Sequence, residues 1–190
     1  MNHFQQSALS LSLALFASSC ATDDRHVMEI SIPQQRMALY QDGVKLREYP
    51  VSTSKFGIGD IPRSNFTPIG RMEVAKKIGG GAPSGTVFKS REPTGEILPP
   101  NAPGRDPIVT RILWLRGTEP QNANAFERYI YIHGTPEESR IGTQASYGCI
   151  RMRSSDIVDL YGFVGTGAKV YTLNLPLSDP ADFAARWAQR

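Results

Sequence analysis

Short segments with the residue pattern of β-strands follow one another along most of the chain. Val27 to Ile32 alternates apolar and polar residues, and later segments are rich in Ile, Val, Leu and aromatic residues. Both patterns are typical of strands. Asp42-Gly43 predicts a tight hairpin, because both residue types tolerate a positive φ. The predicted strands cover residues 27–32, 37–40, 44–52, 69–78, 108–115, 129–133 and 169–173.

Helical patterns are confined to two short segments. Ser154-Ser155-Asp156 predicts the start of a helix that runs to Phe163, and residues 179–187 predict a second helix at the C-terminal end. No internal repeat or second domain is evident. The sequence therefore predicts a mainly β domain, either a sandwich or a partly closed barrel, with one or two short helices.

Residues 79–107 differ from the rest of the chain, since they are rich in Gly and Pro and have little apolar periodicity. A long connection of this composition inside a compact domain is usually a functional lid or a disordered insertion.

The first residues have the pattern of an export signal. Residues 8–17 form an uncharged apolar run that is too short to span a bilayer and has the length of a signal-peptide core. The stretch FASSC, ending at Cys20, resembles a lipobox, in which the cysteine becomes lipidated. Ordinary export with cleavage near Ala21 is the alternative. We divide the chain into a signal peptide at 1–19, a tether at 20–26, a domain at 27–175 and a C-terminal extension at 176–190.

The two cysteines, Cys20 and Cys149, predict an unpaired thiol in the domain. If Cys20 is removed or lipidated, Cys149 has no partner, and an unpaired thiol in an oxidising compartment points to a chemical role. A Cys20–Cys149 disulfide is the structural alternative.

Cys149 and His133 have neighbours suited to nucleophilic catalysis. A thiol needs a base or a positive environment, and His133 is the one histidine that lies within a predicted strand of the domain. Gly134 leaves room for a substrate, and Gly148 permits a tight turn whose amides approach a carbonyl. The helix predicted after Cys149 would favour a thiolate. A hydrogen-bonded core histidine and a buried cysteine remain the alternative. No metal-ligand spacing is present, and no cofactor is predicted.

The motif around these residues resembles the signature of bacterial L,D-transpeptidase catalytic domains (YkuD-like). Its residues are Ile132-His133-Gly134-Thr135, Ile141-Gly142 and Ser146-Tyr147-Gly148-Cys149-Ile150-Arg151-Met152. Upstream, residues 35–55 and Thr67-Pro68-Ile69-Gly70-Arg71-Met72 resemble the family's opening strands and its Thr-Pro-X-Gly element. The resemblance covers residues 29–172.

The resemblance implies an exported enzyme that acts on peptidoglycan stem tetrapeptides. Cys149 would attack the carbonyl of the third residue, release D-alanine and hold a thioester, which an amine of a second stem or of an anchored wall protein resolves. His133 would act as base and then acid, with Gly134 orienting its ring and the amides near Gly148 and Cys149 forming an oxyanion hole. A hydrolase of the same fold and a non-catalytic wall-associated lipoprotein are the alternatives.

Three further residues match positions of the motif that shape the site. Ser146 is expected to orient the nucleophile turn, and Arg151 either binds substrate or forms a structural ion pair. Tyr147 stands where many family members have histidine, and it would contact substrate without imidazole chemistry.

Residues outside the motif are predicted to be structural. Trp114 is expected in a core strand, with a place lining the cleft as the alternative, and Arg111 and Arg116 are expected to face solvent. The formal net charge of +3 and the short Lys76-Lys77 pair do not indicate a nucleic-acid partner.

Overall fold

The computed structural model describes residues 22–188, which form a sheet of ten strands with two α-helices. The sequence segments rich in β-branched and aromatic residues form most of these strands, as expected from their fit to a pleated, half-buried surface. The strands are β1 (His26–Ser31), β2 (Arg36–Gln41), β3 (Val44–Pro50), β4 (Gly70–Ile78), β5 (Thr86–Lys89), β6 (Glu92–Ile97), β7 (Ile108–Gly117), β8 (Tyr131–Gly134), β9 (Ile150–Met152) and β10 (Lys169–Leu173). The helices are α1 (Ser154–Phe163) and α2 (Pro180–Trp187).

The strand order places the two ends of the domain at the centre of the sheet. The main path runs β3-β2-β1-β10-β4-β7-β5-β6, while β8 pairs with β7 and β9 pairs with β8. The β1–β10 and β8–β9 pairs are parallel. Asp42 and Gly43 both have positive φ in the β2–β3 turn, which confirms the predicted hairpin.

The predicted mainly β fold is confirmed, and the strand ladders do not close into a barrel. Beyond β3, the chain meets β9 through an isolated bridge between Ser52 and Arg151, which links the β3 end of the sheet to the β8–β9 branch. One large apolar cluster fills the interior, and α1 contributes Ile157 and Leu160 to it. Phe183 of α2 packs on Tyr40 with ring centroids 3.6 Å apart.

Residues 79–107 are not a structureless insertion, because they contain the β5–β6 hairpin. The hairpin pairs with β7 through Val87 and Phe88, both of which are buried. Its outer strand β6 is exposed along its whole length, so its residues lack the alternation by which a half-buried strand is recognised. A lid function for this segment stays a prediction.

Arg111 departs from the prediction that it faces solvent. Its side chain is buried, and its guanidinium donates to the carbonyls of Ala82 and Thr110 at 2.7 and 2.5 Å. The register of β7 shifts between Val109 and Ile112, so the simple alternation of faces fails there. Trp114 is buried, as predicted, whereas the Arg116 side chain is exposed.

The described part of the chain, residues 22–188, has no helix with the length and apolarity needed to cross a membrane. The predicted signal peptide, the cleavage site and Cys20 lie outside the described residues.

Candidate active site

The parallel pairing of β8 with β9 brings Cys149 and His133 to one region of the sheet. His133 lies opposite Arg151 and Ile132 opposite Ile150, so Cys149 adjoins the start of β8. Because side chains alternate along a strand, Tyr131 and His133 share one face of β8. Cys149 is a free, half-buried thiol that packs against the aromatic cluster of Trp114 and Tyr131.

Two backbone groups hold the Cys149 thiol. The amide N–H of Tyr131 donates to Sγ at 3.4 Å, and the thiol donates to the carbonyl of Tyr129 at 3.4 Å. Burial raises the pKa of Cys149 to about 11, although the Tyr131 amide and the charges of Arg151 and Arg128 act in the opposite direction. The resting cysteine is therefore a neutral thiol at physiological pH.

The His133 imidazole is oriented by the backbone next to it. Nδ1 lies 2.8 Å from the carbonyl oxygen of Gly134, which can only accept, so Nδ1 carries the proton and Nε2 is left as the basic nitrogen. Burial lowers the pKa of His133 to about 4, the Gly134 hydrogen bond opposes this shift, and the Arg151 charge adds to it. The imidazole is neutral and can accept a proton, while the resting thiol is hydrogen-bonded to the backbone.

Gly134 lies where β8 passes very close to β7. A Cβ at this position would lie 2.6 Å from the carbonyl oxygen of Val109, which leaves no space for any other residue. The adjacent Thr110 has φ of 73°, an unfavourable value for a β-branched residue, and its hydroxyl lies 2.8 Å from Ser154 Oγ. Strained backbone of this kind concentrates at functional sites, where the surrounding structure holds it.

The turn before Cys149 is fixed by side-chain hydrogen bonds. The buried Ser146 hydroxyl donates to the carbonyl of Cys149 at 2.6 Å and accepts from the amide of Gly148 at 3.2 Å. Thr67 donates to the Gly148 carbonyl at 2.9 Å. Gly148 has φ of 117°, and a Cβ there would lie 3.1 Å from the carbonyl oxygen of Phe66. The turn therefore requires glycine at 148 and presents Cys149 in one conformation.

The structure places Arg151 in a buried ion-pair network. Its guanidinium lies 2.5 Å from Asp106 Oδ2 and 3.2 Å from Glu137 Oε2. Thr135 donates to the other oxygen of Asp106 at 2.5 Å. These contacts favour the structural role of Arg151. Because Asp106 belongs to residues 79–107, they also connect that segment to the motif.

Replacing Arg151 with alanine is expected to lower the free energy of unfolding by about 3 kcal/mol, because it leaves the Asp106 carboxylate without its cation and removes one of the two arginines that pair with Glu137. Chemical denaturation measures this change. Arg140→Ala is the control, since Arg140 pairs with the same Glu137 but is half exposed, and it should cost less than about 1 kcal/mol. Equal stability of the two variants would contradict the structural role.

The neutral state of His133 makes the fold sensitive to acid. Its pKa is about 4 in the folded protein and about 6.5 in an unfolded chain. The unfolded state therefore binds more protons between these values, and stability falls as the pH decreases through this window. Between pH 7 and pH 5 we expect His133 to account for a loss of roughly 1–2 kcal/mol. Denaturation at both pH values should show a smaller loss in His133→Gln, and an unchanged loss would argue against the lowered pKa.

Tyr147 projects from the nucleophile turn and is exposed. Lys55 donates to its hydroxyl at 3.2 Å, and the ammonium group lies 4.4 Å from the ring centroid. Phe56 packs beside it at 5.5 Å. Tyr147 therefore forms part of a cationic and aromatic rim next to Cys149.

The helix after Cys149 was expected to support a thiolate. The hydrogen bonds of the thiol are instead with the backbone of Tyr131 and Tyr129. Strand β9 separates Cys149 from α1, and the first amide of α1, that of Ser154, donates to the Glu138 carboxylate at 2.8 Å. The sequence predicted that the serines at 154 and 155 cap this helix. Glu138 accepts from its first amide instead, because a side chain that is distant in sequence reaches the start of the helix.

Sequence reasoning missed several residues of the site. Tyr131 could have been found, because strand alternation places it on the same face as His133. Nothing in the sequence marks Asp106 or Tyr129, because their roles depend on a loop conformation and on a backbone carbonyl. Among residues 22–188, no cluster of three or more His, Cys, Asp or Glu side chains is arranged to hold a metal ion.

Comparison with known proteins assigns the chain to a family. The model of the L,D-transpeptidase catalytic domain family (YkuD) matches residues 25–172. This match covers most of the chain and includes the His133 and Cys149 motifs. The chain belongs to the L,D-transpeptidase catalytic domain family.

A curated relative supports this assignment. The chain is 28% identical over 162 residues to the probable L,D-transpeptidase YcfS of Escherichia coli (strain K12), a match that covers 83% of this chain and 47% of that protein. The chain thus spans about half the length of the curated relative it matches.

Solved structures share the fold. An L,D-transpeptidase from Mycobacterium smegmatis is 20% identical, with a TM-score of 0.50 over 78% of this chain and 58% of that chain. L,D-transpeptidase 3 from Mycobacterium tuberculosis, in complex with a faropenem-derived adduct, is also 20% identical, with a TM-score of 0.51 over 78% of this chain and 60% of that chain. At these identities the likeness establishes the fold alone.

Proposed function

We propose that this protein is an exported L,D-transpeptidase in which Cys149 carries the acyl group and His133 transfers the protons. One observation carries the proposal. The free thiol of Cys149 accepts a hydrogen bond from the Tyr131 amide and adjoins strand β8, which carries His133. Nδ1 of His133 contacts the Gly134 carbonyl, which leaves Nε2 as the base. Membership of the L,D-transpeptidase family supports the reaction class that we propose, acyl transfer between peptidoglycan stem peptides.

The neutral thiol and neutral imidazole define the first step. As the donor carbonyl approaches, the Cys149 proton passes to Nε2 of His133, and Sγ bonds to the carbonyl carbon. The carbonyl π electrons move to oxygen, which the backbone amide of Cys149 stabilises. When the oxyanion collapses, the C–N bond to the terminal D-alanine breaks, and the imidazolium protonates the leaving amine. The thioester remains on Cys149.

The second step resolves the thioester. The acceptor amine, from a second stem or from a lysine of an anchored wall protein, loses a proton to His133 and attacks the thioester carbonyl. The C–S bond breaks, and the thiolate regains its proton from the imidazolium. Water in place of the amine gives a carboxypeptidase, because both reactions share one acyl-enzyme.

Mass spectrometry of the purified protein with a disaccharide tetrapeptide tests this proposal. We expect an adduct on Cys149 and crosslinked dimers among the muropeptides. An adduct with tripeptide as the sole product would assign the hydrolase. A folded preparation that yields neither adduct nor product would overturn the acyltransferase and favour the non-catalytic lipoprotein.

The export and lipid anchoring proposed for residues 1–20 need a separate test. The apolar run at 8–17 and the stretch ending at Cys20 support a lipid-anchored protein of the cell envelope. Cells fed an alkyne-labelled fatty acid should label the wild-type chain and not the Cys20→Ala variant. Equal labelling of both would exclude Cys20 as the anchor.

A further inference from the structure

A cavity of about 340 Å³ lies between two segments of the chain that precede β4 and β8. Residues 62–64 form one wall, and Asn124 with residues 127–129 forms the other. Tyr129 lines the cavity, and its carbonyl oxygen is also the acceptor of the Cys149 thiol at 3.4 Å. Tyr129 therefore connects the wall of the cavity to the nucleophile.

The walls of the cavity are joined by a buried ion pair. The Arg128 guanidinium lies 2.6 Å from Asp60 Oδ1, and both side chains are almost fully buried. Arg128 also donates to the carbonyls of Ser64 and Phe66 at 3.0 and 2.7 Å. Asp60 accepts from the amide of Asn124 at 2.6 Å. This network fixes both walls, so the cavity exists before a ligand enters.

Two polar groups on the cavity walls have no hydrogen-bond partner. The Ser64 hydroxyl and Nε of Arg128 are buried and unpaired. Buried polar groups in proteins are nearly always hydrogen-bonded, and each exception needs an explanation such as a missing ligand or water. Both exceptions belong to residues that line the same cavity.

The cavity also presents a cation. Arg63 is exposed, and none of its contacts within residues 22–188 is a hydrogen bond or an ion pair. Its backbone has φ of 64° in a turn closed by the Ser64 amide, which donates to the Ile61 carbonyl at 3.0 Å. Arg128 is neutralised by Asp60, so the available charges are those of Arg63 and of Glu127.

We propose that this cavity is a subsite for a carboxylate of the donor peptide, bound by the Arg63 guanidinium. A guanidinium forms strong charge-assisted hydrogen bonds with carboxylates. The proposal rests on the proposed function. Two carboxylates of a donor peptide fit this subsite. One belongs to the leaving C-terminal residue, and the other is a side-chain carboxylate of the residue whose carbonyl is attacked.

Three synthetic donor peptides separate these sources. One has both carboxylates free, one is amidated at the C-terminus, and one is amidated at the side chain. For the wild type, kcat/KM should be about tenfold lower for the peptide in which the bound carboxylate is amidated than for the free peptide. In Arg63→Gln, kcat/KM for the free peptide should be lower than in the wild type by the same factor. Amidation of the bound carboxylate should lower it no further.

Two variants control for the effect of charge. Glu127→Gln removes the acid of the same cavity and should raise kcat/KM for the free peptide. Arg47→Gln removes an exposed arginine outside the cavity, which pairs with Asp159, and it should leave the preference among peptides unchanged. Thermal unfolding checks that each variant folds. Equal behaviour of Arg63→Gln and Arg47→Gln would overturn the subsite.

Binding to the Cys149→Ala variant tests the subsite without turnover. Calorimetry should give about tenfold weaker binding for the amide identified above, and adding Arg63→Gln should remove that difference. If the three peptides bind equally while the wild type forms an acyl-enzyme, the subsite is wrong and the proposed function stands. If no peptide binds or reacts, both proposals fail.

Discussion

Replacing Cys149 by alanine is expected to abolish acyl-enzyme formation while leaving the fold intact. Sγ is the atom that bonds to the donor carbonyl, and no other cysteine lies within residues 22–188. Turnover should fall by at least about 10⁴-fold, the scale of losing a nucleophile in comparable enzymes. Intact-mass spectrometry after incubation with donor peptide measures the adduct, and product analysis measures turnover.

Stability and a second thiol variant serve as controls for Cys149→Ala. The thiol packs at the edge of the aromatic cluster, so its loss should change the free energy of unfolding by about 1 kcal/mol or less. Cys20→Ala removes the other cysteine and should keep full turnover in the purified protein. Wild-type turnover in a folded Cys149→Ala protein would rule out Cys149 as the nucleophile.

Loss of His133 is expected to slow acylation by about 10²–10⁴-fold and to change its pH dependence. With His133 present, the proton moves within the thiol–imidazole pair, so the reactive ion pair forms with no net proton release. Reactivity should then vary little between pH 6 and pH 8. Without His133, thiolate forms by ionisation of a thiol whose pKa is about 11, and reactivity should rise about tenfold per pH unit.

Alkylation of Cys149 by iodoacetamide measures this difference directly. His133→Gln is the matched variant, because it keeps side-chain bulk and an amide donor while removing the base. Both His133→Ala and His133→Gln should show the steep pH dependence. If either variant retains the flat wild-type profile, His133 is not the base.

Local sequence patterns predicted most of the fold. β-Branched and aromatic segments became strands, and Asp42-Gly43 formed the expected hairpin turn. The β5–β6 hairpin was missed, because every residue of β6 is exposed and its sequence EPTGEI lacks alternation. Arg111 was misplaced, because a shift in the register of β7 changes which side chains face inward.

The nucleophile and the base were named from the sequence, whereas most of their surroundings were not. Gly134 and Gly148 are glycines for a visible steric reason, since a Cβ at either position would approach a carbonyl oxygen. The amide of Tyr131 and the carboxylate of Asp106 reach the site through strand register and loop conformation. Such contacts depend on long-range pairing, which no local pattern specifies.

The parallel pairing of β1 with β10 has a consequence for the order in which the chain folds. Val27 lies opposite Lys169, and β10 in turn separates β1 from β4, so the middle of the sheet needs a strand that is very distant from β1 in sequence. Loop closure over this distance makes such pairings late events in folding. Without residues 169–173, β1 and β4 each keep one unpaired edge, so we expect the two halves of the sheet to join only after β10 is available.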